Sequence, residues 1–227
     1  MRENFNISAL VFVMGGWIFS VCVHEFSHAL LAYLGGDHSV KDSGYLTFNP
    51  FRYTHLTSSL VYPLLFLLIG GIGLPGGAVY INRSALRNRF WESAVSLSGP
   101  FSSALLFCVM MIPFRYGMSD PHEHPVFWSA YAFLCYCQLT AVIFNLLPIP
   151  PLDGFGALSS FMHRKVQRYL YNRSQLLFFA LIIVMYYIRP VGNAYWHFIG
   201  WIAGWAGLPL YLVFNGLHMI RLAVFGS

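Results

Sequence analysis

His24, Glu25 and His28 have the residue types and the spacing that metal-assisted hydrolysis needs. At 3.6 residues per turn, positions four apart stack on one helix face. His24 and His28 can therefore offer two imidazole nitrogens to one zinc ion. Glu25, turned by about 100° from His24, can act on a water beside the metal without binding the metal. Three fixed positions do arise by chance in soluble helices. Here the motif sits within Val21-Cys-Val-His-Glu-Phe-Ser-His-Ala-Leu-Leu-Ala-Tyr-Leu34, which is otherwise almost wholly apolar. An ionisable glutamate between two histidines is costly in hydrocarbon and should face a protein interior.

The 227 residues are 57% hydrophobic, 18% aromatic and only 9% charged, with a mean hydropathy of +0.60. A soluble domain carries about 25% charged residues. The chain therefore reads as an all-α polytopic membrane protein. Its net charge of +5 does not imply nucleic-acid binding, because the basic residues sit in short loops between apolar runs and read as topology signals. Cys22, Cys108, Cys135 and Cys137 all fall in predicted spans and read as packing residues without a disulfide. No cleavable signal peptide is evident.

The elements that must position the motif follow from hydropathy. A first span is predicted over 7–34, stopped by Gly35-Gly36. Residues 37–53 are mixed, and Tyr45-Leu-Thr-Phe48 predicts a short strand or hairpin beside the membrane. Residues 60–74 are apolar but carry Pro63, Gly70, Gly71 and Gly73, which suits a re-entrant segment better than a crossing. Further spans are predicted over 91–113 and 126–147, an amphipathic helix over 155–173, and two last spans over 174–188 and 194–217. The expectation is about five to six transmembrane helices with a small β or re-entrant segment after the first. His122 and His124 read as part of a solvated loop, and His197 and His218 as interfacial or packing residues.

Zinc wants a third protein ligand and an open position. Asp153 is the acidic residue downstream that lies in a long apolar context. For it to reach the histidine pair, the C-terminal ends of the first and third firm spans must lie at one depth. Those spans must then run parallel, so 60–74 must not cross. On that topology Lys41, Arg52, Arg83, Arg87, Arg89, Arg164, Lys165, Arg168, Arg173 and Arg221 share one side, and Arg2, Arg115 and Arg189 the other. The basic-rich side is predicted to be cytoplasmic, with His28 about 9 Å from that end of its helix.

His24-Glu-Phe-Ser-His28 followed by Asn145-Leu-Leu-Pro-Ile-Pro-Pro-Leu-Asp153-Gly154 resembles the site-2 protease family of intramembrane zinc metalloproteases. Gly35-Gly36-Asp37, Leu46-Thr-Phe-Asn-Pro50 and Leu97-Ser-Gly-Pro100 also match, so the likeness covers roughly 20–160. The resemblance implies His24, His28 and Asp153 as the ligands of one zinc per chain and Glu25 as general base. It also implies that Asn145 helps to hold the substrate backbone or the oxyanion. His55 is left out, since Leu-Thr follows it and its spacing from Asn49-Pro50 differs from the family's. On this resemblance the chain is expected to lack the leading helix of many members. A PDZ-like or cystathionine-synthase-like domain is not expected, since no polar segment of this sequence is long enough to fold as one.

The expected organisation is a single integral-membrane metalloprotease domain over 1–227, with a catalytic core at 7–160 and C-terminal helices at 174–218. The expected partners are a membrane-protein or transmembrane-peptide substrate and the lipid bilayer, with no nucleic acid. The expected location is the plasma membrane of a prokaryote, with the site nearer the cytoplasmic side. The alternative is a non-catalytic zinc-binding membrane protein, a partner-binding or transport relative.

Overall fold

The computed structural model describes residues 2–49, 52 and 79–225. Helix α1 (Arg2–Gly35) contains a stretch, Ile7–Gly35, long and apolar enough to cross a membrane. It ends where Gly36 takes a φ of +118° and the Asp37 N–H turns back to the Ala32 carbonyl at 2.9 Å. That conformation favours glycine. A short helix α2 (Ser39–Asp42) follows.

From Val79 the described chain runs without regular structure to a 3-10 turn, Arg83–Ala85. Three bonds lay this stretch along the C-terminal half of α1. The Val79 N–H donates to Glu25 Oε2, the Asn82 N–H to Asp37 Oδ2, and the Arg87 N–H to the Gly35 carbonyl. Asp37 is almost fully buried, and its carboxylate links the start of α2, through the Ser39 N–H, to the incoming chain at Asn82.

Helix α3 (Arg89–Met110) is capped by the Asn88 side chain, which accepts from the Trp91 N–H. It continues through α4 (Ile112–Arg115) as a second candidate span, Arg89–Arg115. The third span is α5 (Pro125–Asn145), which has Pro125 in its first turn. Apolar residues occupy every face of α5, as befits a helix surrounded by neighbours, and Phe133, Cys135, Cys137 and Phe144 are buried.

Register follows from the contacts. His28 meets Val95 and His24 meets Ser103, so α3 runs antiparallel to α1. Gln138 meets Ser103 and Tyr131 meets Met110, so α5 runs antiparallel to α3 and therefore parallel to α1, with Trp17 to Glu25 and Gln138 to Asn145 lining one cavity. Short helices α6 (Asp153–Ser159) and α7 (Arg164–Tyr171) follow.

Three expectations differ from this architecture. Residues 46–48 form bends, and among the described residues there is no strand. Gly44 (φ +74°) turns the chain out of α2, Tyr45 bonds back to Val40 and is buried, and Phe48 stacks on Phe26 of α1 instead of pairing its backbone. The predicted amphipathic helix over 155–173 is two helices, broken between Ser160 and His163. The last third also departs from two plain spans. Helices α8 (Ser174–Tyr187) and α9 (Arg189–Ala206) meet at an 89° bend, and α10 (Leu210–Phe225) is a shorter apolar helix. Gly207, at φ +86°, ends α9, and Pro209 precedes α10. Among the described residues, helices with the length and composition to cross number three, or up to four if the bent pair is one span. The segment 60–74 and His55 lie outside the described residues.

Against α5 and α1 packs α10, at a point where Gly216 lets the backbones approach. A Cβ there would collide with the Ser129 carbonyl oxygen. Large apolar side chains also cover the exterior, among them Phe19, Phe101, Leu105, Trp201 and Trp205. Lipid, rather than water, suits such a surface. All four cysteines are free: Cys22, Cys135 and Cys137 are buried and Cys108 is exposed.

Candidate metal centre

One turn of α1 brings His24 and His28 together, with their Nε2 atoms 3.1 Å apart. The Asp153 carboxylate reaches both from the first turn of α6. Its Oδ2 lies 3.1 Å from His24 Nε2 and its Oδ1 3.4 Å from His28 Nε2. Ligand atoms of the three residues all lie within 4.8 Å of one another, the one such cluster among the described residues. A tetrahedral ion with bonds of about 2.0–2.2 Å separates neighbouring ligand atoms by about 3.3–3.5 Å. The donor set and its spacing therefore fit zinc.

The outer ring nitrogens are engaged elsewhere. His28 Nδ1–H donates to the Val95 carbonyl at 2.6 Å, and His24 Nδ1 lies 3.0 Å from Ser103 Oγ. This directs both Nε2 atoms at the shared point, the usual arrangement of imidazoles that hold a metal. The Ser103 carbonyl in turn accepts from Gln138 Nε2 of α5 at 3.0 Å. Space comes from Gly99, where a Cβ would collide with the Nε2 atoms of both histidines.

Asp153 is positioned by a tight turn. Gly154 packs so closely on the Leu146 and Leu147 carbonyls that a Cβ would not fit, and Leu152 is buried. Burial alone would raise the pKa of the Asp153 carboxyl. The coulombic pull of His28 and hydrogen bonds from both imidazoles outweigh it and hold the group well below the usual carboxylate range. It is thus an anion, as a metal ligand must be.

Glu25 is buried beside this cluster, and its Oε2 accepts from the Val79 N–H at 3.2 Å. Asn145 is also buried. It lines, with Trp17, Ser20, His24, Glu25 and Gln138, a cavity of about 20 Å³, room for one water molecule. The indole Nε1 of Trp17 is buried there without a hydrogen-bond partner. The structure thus brings His24, Glu25, His28, Asn145 and Asp153 to one place. His122, His124, His197 and His218 are exposed and outside the cluster.

Sequence reasoning missed Ser103 and Gln138 as supports. In the sequence Ser103 is marked only as one of several small residues suited to close helix packing. A lone amide inside an apolar span, as at Gln138, is a usable signal.

Imidazoles and a carboxylate converging on one point, beside a buried glutamate and among apolar helices, define a metal-dependent hydrolase of the membrane. The chain is 42% identical over 223 residues to Rip2 of Mycolicibacterium smegmatis, provisionally named a zinc metalloprotease, covering 97% of this chain and 84% of that protein. Rip2 of Mycobacterium tuberculosis is 40% identical over 93% of this chain and 80% of its own length. The Bacillus subtilis protein YwhC, likewise provisionally named a zinc metalloprotease, is 27% identical over 83% of this chain and 85% of its own. No family model and no solved structure matches the chain. The chain belongs to the site-2 protease family, with relatives named as zinc metalloproteases, and His24, His28 and Asp153 lie close enough together to hold a metal ion.

Proposed function

We propose that this metalloprotease hydrolyses peptide bonds in or near the transmembrane segments of membrane-protein substrates. In this reading His24, His28 and Asp153 hold the zinc and Glu25 is the general base. The observation that carries it is a buried Glu25 next to three convergent ligand atoms, within helices whose exteriors are apolar.

Zinc bound there supplies Lewis acidity, polarising a carbonyl and making water nucleophilic near neutral pH. Glu25 takes the proton of the attacking water and returns it to the leaving amine. The Val79 N–H holds Glu25 Oε2 and leaves the other carboxylate oxygen for that proton. Asn145, lining the same cavity, holds the substrate backbone or its developing oxyanion. A helical substrate hides its carbonyls in backbone hydrogen bonds, so it must unwind locally before attack. The excess of basic residues in the loops on one side supports a site nearer the cytoplasmic side.

The test compares wild type with Glu25→Gln and Asp153→Ala in detergent, using a transmembrane peptide. Glu25→Gln should retain zinc and lose cleavage, and Asp153→Ala should lose zinc. Cleavage by Glu25→Gln would overturn the base assignment. Zinc without cleavage of any membrane peptide by wild type would favour a non-catalytic zinc-binding protein.

A further inference from the structure

We propose that α7 carries a binding site for the headgroup of an anionic phospholipid. The observation is an open cavity of about 320 Å³ lined by Arg164, Lys165, Arg168, Tyr169 and Asn172. These positions follow the i, i+1, i+4, i+5, i+8 pattern of one helix face. On the other side of α7, Gln167 is buried. Glu92 pairs with Arg164 at the edge of the cavity, and the lining residues themselves include no carboxylate. Arg173 stacks over the Tyr169 ring at 3.8 Å and adds a fourth cation at the rim.

The place of the cavity in the fold selects a lipid. Arg164 pairs with Glu92 in the first turn of α3 at 3.6 Å, and Phe161, just before α7, packs on Phe90 with ring centroids 5.4 Å apart. So α7 lies at the level where the span Arg89–Arg115 begins, the expected depth of lipid phosphates. Apolar side chains stand exposed around the cations: Phe90 (74%), Phe161 (51%), Val166 (49%) and Tyr169 (56%). A soluble anion has no use for them, whereas a lipid presents a phosphodiester to the cations and acyl chains to these side chains.

The inference rests on the chain being a membrane protein, which resistance to carbonate extraction from membranes tests separately. The probe is dihexanoyl phosphatidylglycerol, titrated into the full-length protein in neutral detergent beside dihexanoyl phosphatidylcholine and inorganic phosphate. Each basic residue near an anionic surface is worth about fivefold in affinity. Lys165→Gln with Arg168→Gln should therefore weaken phosphatidylglycerol binding roughly 30-fold, with melting temperature and zinc content unchanged. The charge-keeping pair Lys165→Arg and Arg168→Lys should bind as wild type does. Equal binding of phosphatidylcholine, equal binding of inorganic phosphate, or undiminished binding by the Gln variant would each overturn the proposal.

Discussion

His28 Nδ1 lies 2.6 Å from the carbonyl oxygen of Val95, a residue on the neighbouring antiparallel helix. Donation to that oxygen keeps the Nδ1 proton in place and leaves the Nε2 lone pair for the metal. Ser98 Oγ donates to the same carbonyl at 2.7 Å. The orientation of His28 is thus set by the backbone of α3, while that of His24 depends on the Ser103 side chain, which a mutation can remove.

Ser103→Ala should leave His24 Nδ1 without its partner at 3.0 Å. Loss of such a support costs about 10–100-fold in metal affinity. Competition with a chromogenic chelator measures this, and an unchanged zinc affinity would show that the hydroxyl does not orient the ring.

Gly99→Ala puts a methyl group where the two Nε2 atoms converge. Zinc should be lost, and overpacking should cost about 1–3 kcal/mol of stability. Gly15→Ala is the control, because a Cβ there meets nothing within 4 Å. That variant should keep zinc content and melting temperature at or above wild type.

The Asp37 carboxylate ties the stretch 79–82 to the start of α2 through the Asn82 N–H at 2.7 Å and the Ser39 N–H at 3.1 Å. Hydrogen bonds to a charged group are worth about 1.5–3 kcal/mol each. Asp37→Ala, which removes both bonds, should lower stability by about 3 kcal/mol or more. It should also reduce proteolysis without loss of zinc, since the same stretch carries the Val79 N–H to Glu25. Thermal unfolding, zinc analysis and peptide cleavage on one preparation separate these effects.

Chelation should destabilise the protein. A ligand present at about 1,000 times its Kd contributes about 4 kcal/mol to the folded state, so stripping zinc should lower the melting temperature and zinc alone should restore it. Asp153→Ala, which removes a member of the cluster, should show a much smaller chelator response.

The site was legible because its chemistry is local or sharply marked. His24 and His28 share one turn, and a charged Asp153 after an apolar span has few reasons to be there. The parallel run of α1 and α5 followed from asking how that aspartate could meet the histidines. What stayed hidden depends on tertiary context. Tyr45 to Phe48 have strand-like side chains, yet burial of Tyr45 and stacking of Phe48 on Phe26 give them better contacts than backbone pairing. Gly207-Leu-Pro209 is ordinary stop-and-start punctuation, but the hydropathy of 194–217 conceals it. Ser103 looks like any small residue in a packed helix, and its role exists only because His24 lies opposite.

The burial of three cysteines and exposure of the fourth leaves the native chain with a single reporter position. Cys108 lies on the same outer stripe of the span Arg89–Arg115 as Phe101, Leu105 and Ile112. A spin label attached there samples the acyl-chain region without any engineered thiol. Its relaxation by oxygen against a water-soluble paramagnet would give the depth of α3, and with it the distance of the zinc ligands from the nearest aqueous phase.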